Sequence, residues 1–190
     1  MKNRLNVCFA VLLMLFPFAA NAQSPQASQL YFGAFAGIQN FSDIDAGFGV
    51  DLDFGSGYVI GGVGGWRVNE NFRIEAEAAY QWADADLGLQ SGDIWIFRTT
   101  LGGYFEYPVA PAFAPFVGAG VGISAIEIDN VLLSGSAAGT FHGEIGLAYR
   151  LRPKLTLVPA ARYEWNNVEF VGGDDGLTAT SLRMGVHFSF

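Results

Sequence analysis

The sequence is poor in the residues that usually stabilise or solubilise a small exported β-protein. It has one cysteine, Cys8, and its only lysines are Lys2 and Lys154. Beyond position 8, therefore, no disulfide or thiol chemistry is available. Soluble β-proteins generally carry lysine on exposed faces and edges. The scarcity of lysine argues that the charged strand faces of this chain do not meet bulk water.

Long apolar runs are also missing, apart from one at the N-terminus. Lys2 and Arg4 precede the apolar residues 7–20, and Ala20-Asn21-Ala22 places small residues at the spacing of a cleavage site. This pattern predicts a secretory signal peptide at residues 1–22 and one mature domain at residues 23–190. A transmembrane anchor is the alternative, but the run is short for a bilayer span and polar residues follow it at once.

The charge balance is acidic. Since Lys2 and Arg4 lie before the predicted cleavage site, the formal net charge falls from −8 for the whole chain to about −10 for the mature one. Such a chain lacks the basic surface on which nucleic-acid binding depends, so we expect no nucleic-acid partner.

What the chain does have is alternation with a period of two. Between Phe72 and Trp82 the even positions are apolar and most odd positions are polar, as in a strand with two different faces. Similar segments predict eight strands, separated alternately by short turns and by long loops at 41–55, 83–93, 126–138 and 167–177. The predicted fold class is all-β, an eight-stranded antiparallel up-and-down transmembrane barrel. The predicted strands are 30–40, 56–68, 72–82, 94–107, 113–125, 139–151, 155–166 and 178–190.

Aromatic residues decide which face points outward. A lipocalin-type barrel would bury the apolar face, whereas a membrane barrel exposes it to lipid. On this face small and aliphatic residues occupy the strand middles, and aromatic residues occupy both ends, which predicts two interfacial girdles. The girdle near the turns contains Trp66, Phe72, Phe105, Tyr107, Phe113, Tyr149 and Phe188, and the one near the loops contains Tyr80, Trp82, Trp95, Phe97, Phe141, Tyr163 and Trp165.

Three segments carry a family resemblance: Phe72–Trp82, Pro115–Gly122 and the ending Met184–Phe190. With them the mature chain resembles the small OmpA-like, porin-family outer-membrane barrels of Gram-negative bacteria. The resemblance implies an outer-membrane location and recognition by the outer-membrane assembly machinery through the C-terminal strand that ends at Phe190. It says little about activity, because such barrels include anchors, adhesins, small pores and lipid-modifying enzymes.

The inward face is predicted to carry a nearly balanced set of charges. Around the turn at Arg152, the strand pattern places Glu144 opposite Arg162 and His142 opposite Glu164. Two interpretations stay open: a plug of ion pairs that fixes the barrel's shape, or a pore or proton-sensitive gate. The charges are Arg67, Arg73, Arg98, Arg150, Arg162 and Arg183 with Glu75, Glu77, Glu106, Glu144 and Glu164.

Acidic residues dominate the predicted loops, and no basic residue accompanies them. They form either a solvated acidic rim or sites at which divalent cations join the barrel to lipopolysaccharide. The twelve are Asp43, Asp45, Asp51, Asp53, Asp84, Asp86, Asp93, Glu127, Asp129, Glu169, Asp174 and Asp175.

No catalytic, cofactor-binding or metal site is predicted. His187 and Ser189 superficially match the His-x-Ser pair of lipid A deacylases, but they lie at the turn end, away from the outer leaflet. His142 and Glu144 supply two ligands, which is too few for a metal centre. The glycine-rich strands lack the helix that a phosphate loop requires, so their glycines are expected to relieve crowding.

The sequence therefore predicts a monomeric, non-enzymatic outer-membrane barrel with a charge-paired, filled lumen and a structural, envelope or surface-interaction role. A narrow channel for small solutes is the alternative, and a lipid A-modifying enzyme is the third candidate.

Overall fold

The structure is a computed structural model, and it describes residues 29–42, 44–45, 51–86, 91–128, 136–167 and 176–190. Among these residues no helix has the length and apolarity needed to cross a membrane. The regular structure is β1 (Gln29–Phe41), β2 (Ile44–Asp45), β3 (Asp51–Arg67), β4 (Phe72–Asp86), β5 (Ser91–Glu106), β6 (Phe113–Ile128), β7 (Ser136–Arg152), β8 (Leu155–Asn167) and β9 (Leu177–Ser189).

Eight of these strands close into one antiparallel barrel. From β3 to β9, each strand pairs with the next along the chain, and β1 pairs with both β3 and β9. The two-residue β2 pairs only with the start of β3. Closure leaves no free sheet edge in the barrel, as a strand assembly in lipid requires. The predicted fold class is confirmed.

The strands are longer than predicted at the loop end. The expected loop at 83–93 is wrong, because β4 continues to Asp86 and β5 starts at Ser91; the expected loops at 41–55 and 126–138 are likewise shortened by β3, β6 and β7. Aspartate is rare in strands, which made these segments look like loops. The backbone ladder nevertheless continues above the aromatic girdle, where Asp84 pairs in register with Asp93.

The turn between β3 and β4 shows why one end of the barrel is compact. The Asn69 side-chain oxygen accepts hydrogen bonds from the backbone N–H groups of Asn71 at 2.9 Å and Phe72 at 2.8 Å. Such an Asx turn replaces the ladder bonds that the chain loses as it reverses. The predicted short turn is confirmed.

The two faces of the wall follow the predicted alternation. Outward side chains such as Leu101, Ile123 and Ile145 are more than half exposed, which is the state expected for a surface covered by lipid. Aromatic contacts mark both ends of this face. Phe32 stacks on Phe188 near the turn end, and Tyr80 packs against Trp95 near the loop end.

Glycine gives the large inward side chains their space. A Cβ on Gly65 would overlap the ring of Tyr31, and one on Gly118 would overlap the ring of Tyr104. Both aromatic rings are buried inside the barrel. The expectation that these glycines relieve crowding is therefore confirmed at the two positions.

Candidate functional site: the barrel lumen

The centre of the lumen is organised around Glu77 on β4. Arg162 donates to both carboxylate oxygens of Glu77 at 2.8 Å, Arg98 donates at 2.8 Å and Arg183 at 2.9 Å. All four side chains are buried. Arg98 comes from the neighbouring strand β5, whereas Arg162 and Arg183 reach Glu77 across the lumen from β8 and β9. One carboxylate thus ties three strands to β4.

A second carboxylate, Glu144 on β7, shares two of these arginines. It accepts a hydrogen bond from Nε of Arg162 at 2.6 Å and another from Arg183 at 3.3 Å. Glu144 and Arg162 are direct cross-strand partners, so the predicted register at this position is confirmed. The sharing compensates part of the excess positive charge that three guanidinium groups bring to Glu77.

His142 and Glu164 are also cross-strand partners, as predicted, but their side chains have other contacts. Glu164 forms an ion pair with Arg98 and accepts from Gln81 at 3.4 Å. Nε2 of His142 lies 3.2 Å from the hydroxyl of Tyr104. The predicted register is therefore confirmed here too, while the carboxylate of Glu164 pairs with Arg98, which supplies the full charge that a buried carboxylate needs.

A separate ionic layer lies nearer the turns. Arg73 forms ion pairs with two carboxylates, that of Glu75 at 2.8 Å and that of Glu106. Glu106 also pairs with Arg67 at 3.0 Å. The hydroxyl of Tyr31 donates to Glu75. In this layer two arginines face two glutamates, so its formal charge is balanced.

Tyr104 connects the two ionic layers. Its hydroxyl accepts from Arg162 at 3.3 Å, and its ring lies 4.6 Å from the guanidinium carbon of Arg73. Phe116 packs edge-on against Tyr104 and lies 4.3 Å from the same guanidinium carbon. The aromatic pair therefore lies between Arg162 in the central layer and Arg73 in the layer nearer the turns, and Tyr104 contacts both arginines.

The loop end of the lumen is apolar, which was missed in the sequence. Ile94, Ile96 and Leu177 are completely buried there. The signal was present, because residues Ile94–Phe97 are apolar on both strand faces, as expected where both faces are covered. The cluster, called here the apolar cap, comprises Phe41, Ala83, Ile94, Ile96, Ile126, Ala138, Leu177 and Ala179.

The turn end of the lumen is open. Two depressions of about 460 and 590 Å³ lie there, and both are lined by Gln29, Arg67, Arg150 and Thr156. Arg150 was expected to join the ion pairs, and that expectation is wrong. It is exposed and donates to the carbonyl of Pro111 at 3.2 Å, because its position at the mouth leaves it in contact with water.

The residues considered for catalysis do not come together in the described part of the chain. The ring of His187 stacks on Tyr31 with centroids 4.9 Å apart, and the backbone N–H of Ser189 donates to the carbonyl of Lys154 at 3.0 Å. Both residues lie near the C-terminal end of β9, at the end of the barrel where the short turns are. The described residues also contain no group of three or more potential metal ligands.

Of the twelve acidic residues, seven lie on strands and five lie outside the described residues. Asp45 is on β2, Asp51 and Asp53 on β3, and the other four extend β4, β5 and β6. Asp84 and Asp93 are exposed on the outward face, two residue pairs beyond Trp82 and Trp95. The residues outside the described part are Asp43, Asp129, Glu169, Asp174 and Asp175.

A closed antiparallel barrel with an apolar outer face, aromatic girdles and charges inside is the architecture of a bacterial outer-membrane protein. The model of the outer membrane protein β-barrel domain family matches residues 8–190. The chain belongs to this family and is an outer-membrane protein. A comparison with curated protein sequences gave no significant match.

Solved structures support the same fold. Neisserial surface protein A is 17% identical with a TM-score of 0.64, over 85% of this chain and 97% of that one. OprG from Pseudomonas aeruginosa is 18% identical with a TM-score of 0.60, over 87% and 96% of the two chains. The N-terminal barrel of OprF from the same species is 17% identical with a TM-score of 0.51, over 87% and 98%.

Proposed function

We propose that this protein is a non-enzymatic outer-membrane barrel whose lumen is closed to solutes, and that it serves the envelope or presents its loops at the cell surface. The single observation that carries the proposal is the group of three arginines held by the buried carboxylate of Glu77. This group lies across the centre of the lumen, and the apolar cap lies between it and the loops.

The energetics favour a lumen that stays closed. Removing one partner from a buried ion pair typically costs about 3–5 kcal/mol. Arg162 and Arg183 reach Glu77 from the opposite wall, so a continuous channel would require their contacts to separate. An eight-stranded barrel has room for little more than its own side chains. The ion pairs therefore serve to hold opposite walls together.

Planar-bilayer recording tests this proposal. The mature barrel is refolded, and folding is checked by the shift in gel mobility between unheated and boiled samples. We expect a folded but electrically silent protein, for the wild type and for the control Glu70→Gln at the exposed turn. Discrete openings of the wild type that change on Glu144→Gln or Arg162→Gln would support a channel and overturn the closed lumen.

The narrow channel is the second candidate, and a small cavity in the part of the lumen nearer the turns favours it. A cavity of about 20 Å³, enough for one water molecule, lies among Arg73, Glu75, Glu77 and Arg183. Together with the open turn end, this cavity would form the part of a water path that lies nearer the turns. A channel or proton-sensitive gate would also have to pass the apolar cap. If water is continuous up to the cap, the substitution Ile96→Ser should raise the conductance sharply.

A lipid A-modifying enzyme is the third candidate. It requires a nucleophile and a base at a lipid-facing groove in the outer leaflet. His187 and Ser189 lie at the turn end instead, which supports the non-enzymatic proposal. Mass spectra of lipid A from cells with and without the protein should be identical, and a mass difference that disappears on Ser189→Ala would support the enzyme.

Lipopolysaccharide joined through divalent cations is the proposed partner at the cell surface. The register places Asp84 opposite Asp93, just above the aromatic girdle, and like charges directly opposite one another destabilise a sheet unless they are compensated. Hard cations prefer such carboxylate oxygens. In lipopolysaccharide vesicles, we expect magnesium to raise the thermal unfolding temperature of the wild type more than that of Asp84→Asn/Asp93→Asn; an equal rise would contradict the proposal.

Export and assembly complete the proposed function. Residues 1–22 are the proposed signal peptide, so the mature protein should begin at Gln23 in N-terminal sequencing.

Phe190, which is exposed beside Phe32, is the proposed recognition residue for the assembly machinery. Phe190→Ala should lower the amount of folded protein in the outer membrane, whereas Ser189→Ala should not. The barrel leaves no edge open to another copy, and light scattering should give the mass of a monomer.

A further inference from the structure

One arc of the turn-end mouth gathers hydrogen-bond donors on neighbouring strands. Arg67 on β3 pairs in register with Gln29 on β1, and Arg150 on β7 pairs with Thr156 on β8. Only β9 lies between β1 and β8. All four residues line both depressions, which places their side chains around a single opening.

The positive charge of this arc is not fully compensated. Glu106 lines one depression and pairs with Arg67, but it also pairs with Arg73. Glu70 is exposed at the same rim. Among the described residues no carboxylate lies in ion-pair contact with Arg150, and Arg152 adds another cation to the second depression. The walls therefore carry three arginines against two glutamates, one of which Arg73 shares.

Two of the four side chains keep donors available, whereas Gln29 donates to the main-chain oxygen of Phe190 at 3.2 Å. Arg67 keeps 23% of its side chain exposed, and in the described part of the protein only its Nη2 contacts a carboxylate, that of Glu106. Arg150 uses one guanidinium nitrogen for the carbonyl of Pro111 and has no other hydrogen bond to the residues that the structure describes. Arginine presents a planar set of donors that matches the oxygens of phosphate.

We propose that the turn-end mouth binds a soluble phosphate monoester, with Arg67 and Arg150 on the phosphate and Thr156 as a further donor. Each depression is much larger than an inorganic phosphate ion, and Ala114 and Ala148 provide apolar wall for the organic part of the ligand. Arg67 and Arg150 occupy inward positions of their strands, so a soluble molecule reaches them directly from the mouth, whereas a phospholipid headgroup would have to bend over the rim. Since short turns of these barrels face the periplasm, the ligand comes from that compartment.

Isothermal titration of the refolded mature barrel tests the site. The probes are inorganic phosphate and phenyl phosphate, in a phosphate-free buffer of low ionic strength because charge-dependent binding weakens with salt. We expect phenyl phosphate to bind more tightly than inorganic phosphate. Arg67→Gln/Arg150→Gln should weaken binding at least about tenfold, as expected when two charge-assisted contacts are lost. Thr156→Val should weaken it less.

Lys154→Gln is the matched control, because it removes one positive charge from the same rim without touching either depression. Its affinity should fall much less than that of the double variant, because Lys154→Gln removes one long-range charge and no direct donor. The gel-mobility shift confirms that each variant is folded. Equal affinity in the wild type and the double variant, or no binding by the wild type, overturns the site.

A lipid arm distinguishes the source of the phosphate. The titration is repeated after reconstitution into vesicles of phosphatidylcholine alone and with added phosphatidylglycerol. Unchanged affinity for phenyl phosphate supports the soluble ligand. Loss of that affinity only with phosphatidylglycerol would assign the donors to a lipid headgroup and overturn the soluble source. Neither result depends on whether the barrel conducts ions.

Discussion

The two ends of the lumen are built from the same eight strands, yet they differ in chemistry. At the loop end Ile94, Ile96 and Leu177 have no exposed surface. At the turn end Arg150 is exposed and two depressions open to the outside. Large aliphatic side chains fill one end, whereas charged side chains surround a space at the other. The wall sets the diameter of the barrel, and the inward residues decide which end admits water.

The centre of the lumen should carry the largest share of stability. Glu77→Ala leaves three buried guanidinium groups without their shared acceptor, so it should lower the free energy of unfolding by about 3–5 kcal/mol. Urea titration in lipid vesicles, followed by tryptophan fluorescence, measures this. Glu70→Ala at the exposed turn is the control. A loss below about 1 kcal/mol at Glu77 would contradict the importance assigned to the central pairs.

The apolar cap should come next. Ile96→Ala creates a cavity in a fully buried cluster, and the expected loss is about 2–4 kcal/mol. The matched control is Ile145→Ala on the lipid-facing side of the wall, where lipid can fill the space. The same urea titration compares the two variants. If both lose equal stability, the cap is not tightly packed.

Alanine substitutions at two adjacent glycines test whether the inside of the wall is more tightly packed than its outside. Gly65→Ala places a Cβ against the ring of Tyr31 and should cost about 1–3 kcal/mol, whereas Gly64→Ala meets nothing within 4 Å. The outer substitution should be neutral or slightly stabilising, since alanine has less backbone entropy to lose. Urea midpoints that move equally for both variants would show that Tyr31 can shift at no cost.

The residues of the turn-end mouth should contribute least to the free energy of unfolding. Arg150→Ala removes an exposed arginine that contacts a carbonyl and, within the described ranges, no carboxylate, so the free energy of unfolding should change by less than about 0.5 kcal/mol. The same substitution should weaken binding of phenyl phosphate. A large loss of stability would mean that Arg150 belongs to the structural ion pairs after all.

Much of the wall could be predicted from the sequence because its information is local. Alternation assigned each side of the strand Phe72–Trp82, and the short turn at Arg152 was enough to pair Glu144 with Arg162. The strand ends were harder, since the ladder continues through aspartates such as Asp84 that normally favour loops.

Contacts across the lumen could not be predicted in the same way. Arg162 and Arg183 reach Glu77 from strands that are not its neighbours, and only the curvature of the closed barrel brings them together. Competition among charges also escaped prediction, because His142 lies opposite Glu164 while Arg98 takes that carboxylate. The apolar cap was missed as well, although the two-sided apolar run that starts at Ile94 carried a local signal for part of it.

Thiol labelling compares the two ends of the lumen most directly. No cysteine follows Cys8, so the proposed mature chain has none, and single cysteines can be introduced at Thr156 in the mouth and at Ala179 in the apolar cap. The folded protein is treated with a small charged thiol reagent, and modification is followed by mass. Thr156→Cys should react rapidly and Ala179→Cys only after unfolding. Equal, rapid reaction at both positions would contradict a lumen that is open at the turns and closed at the loops.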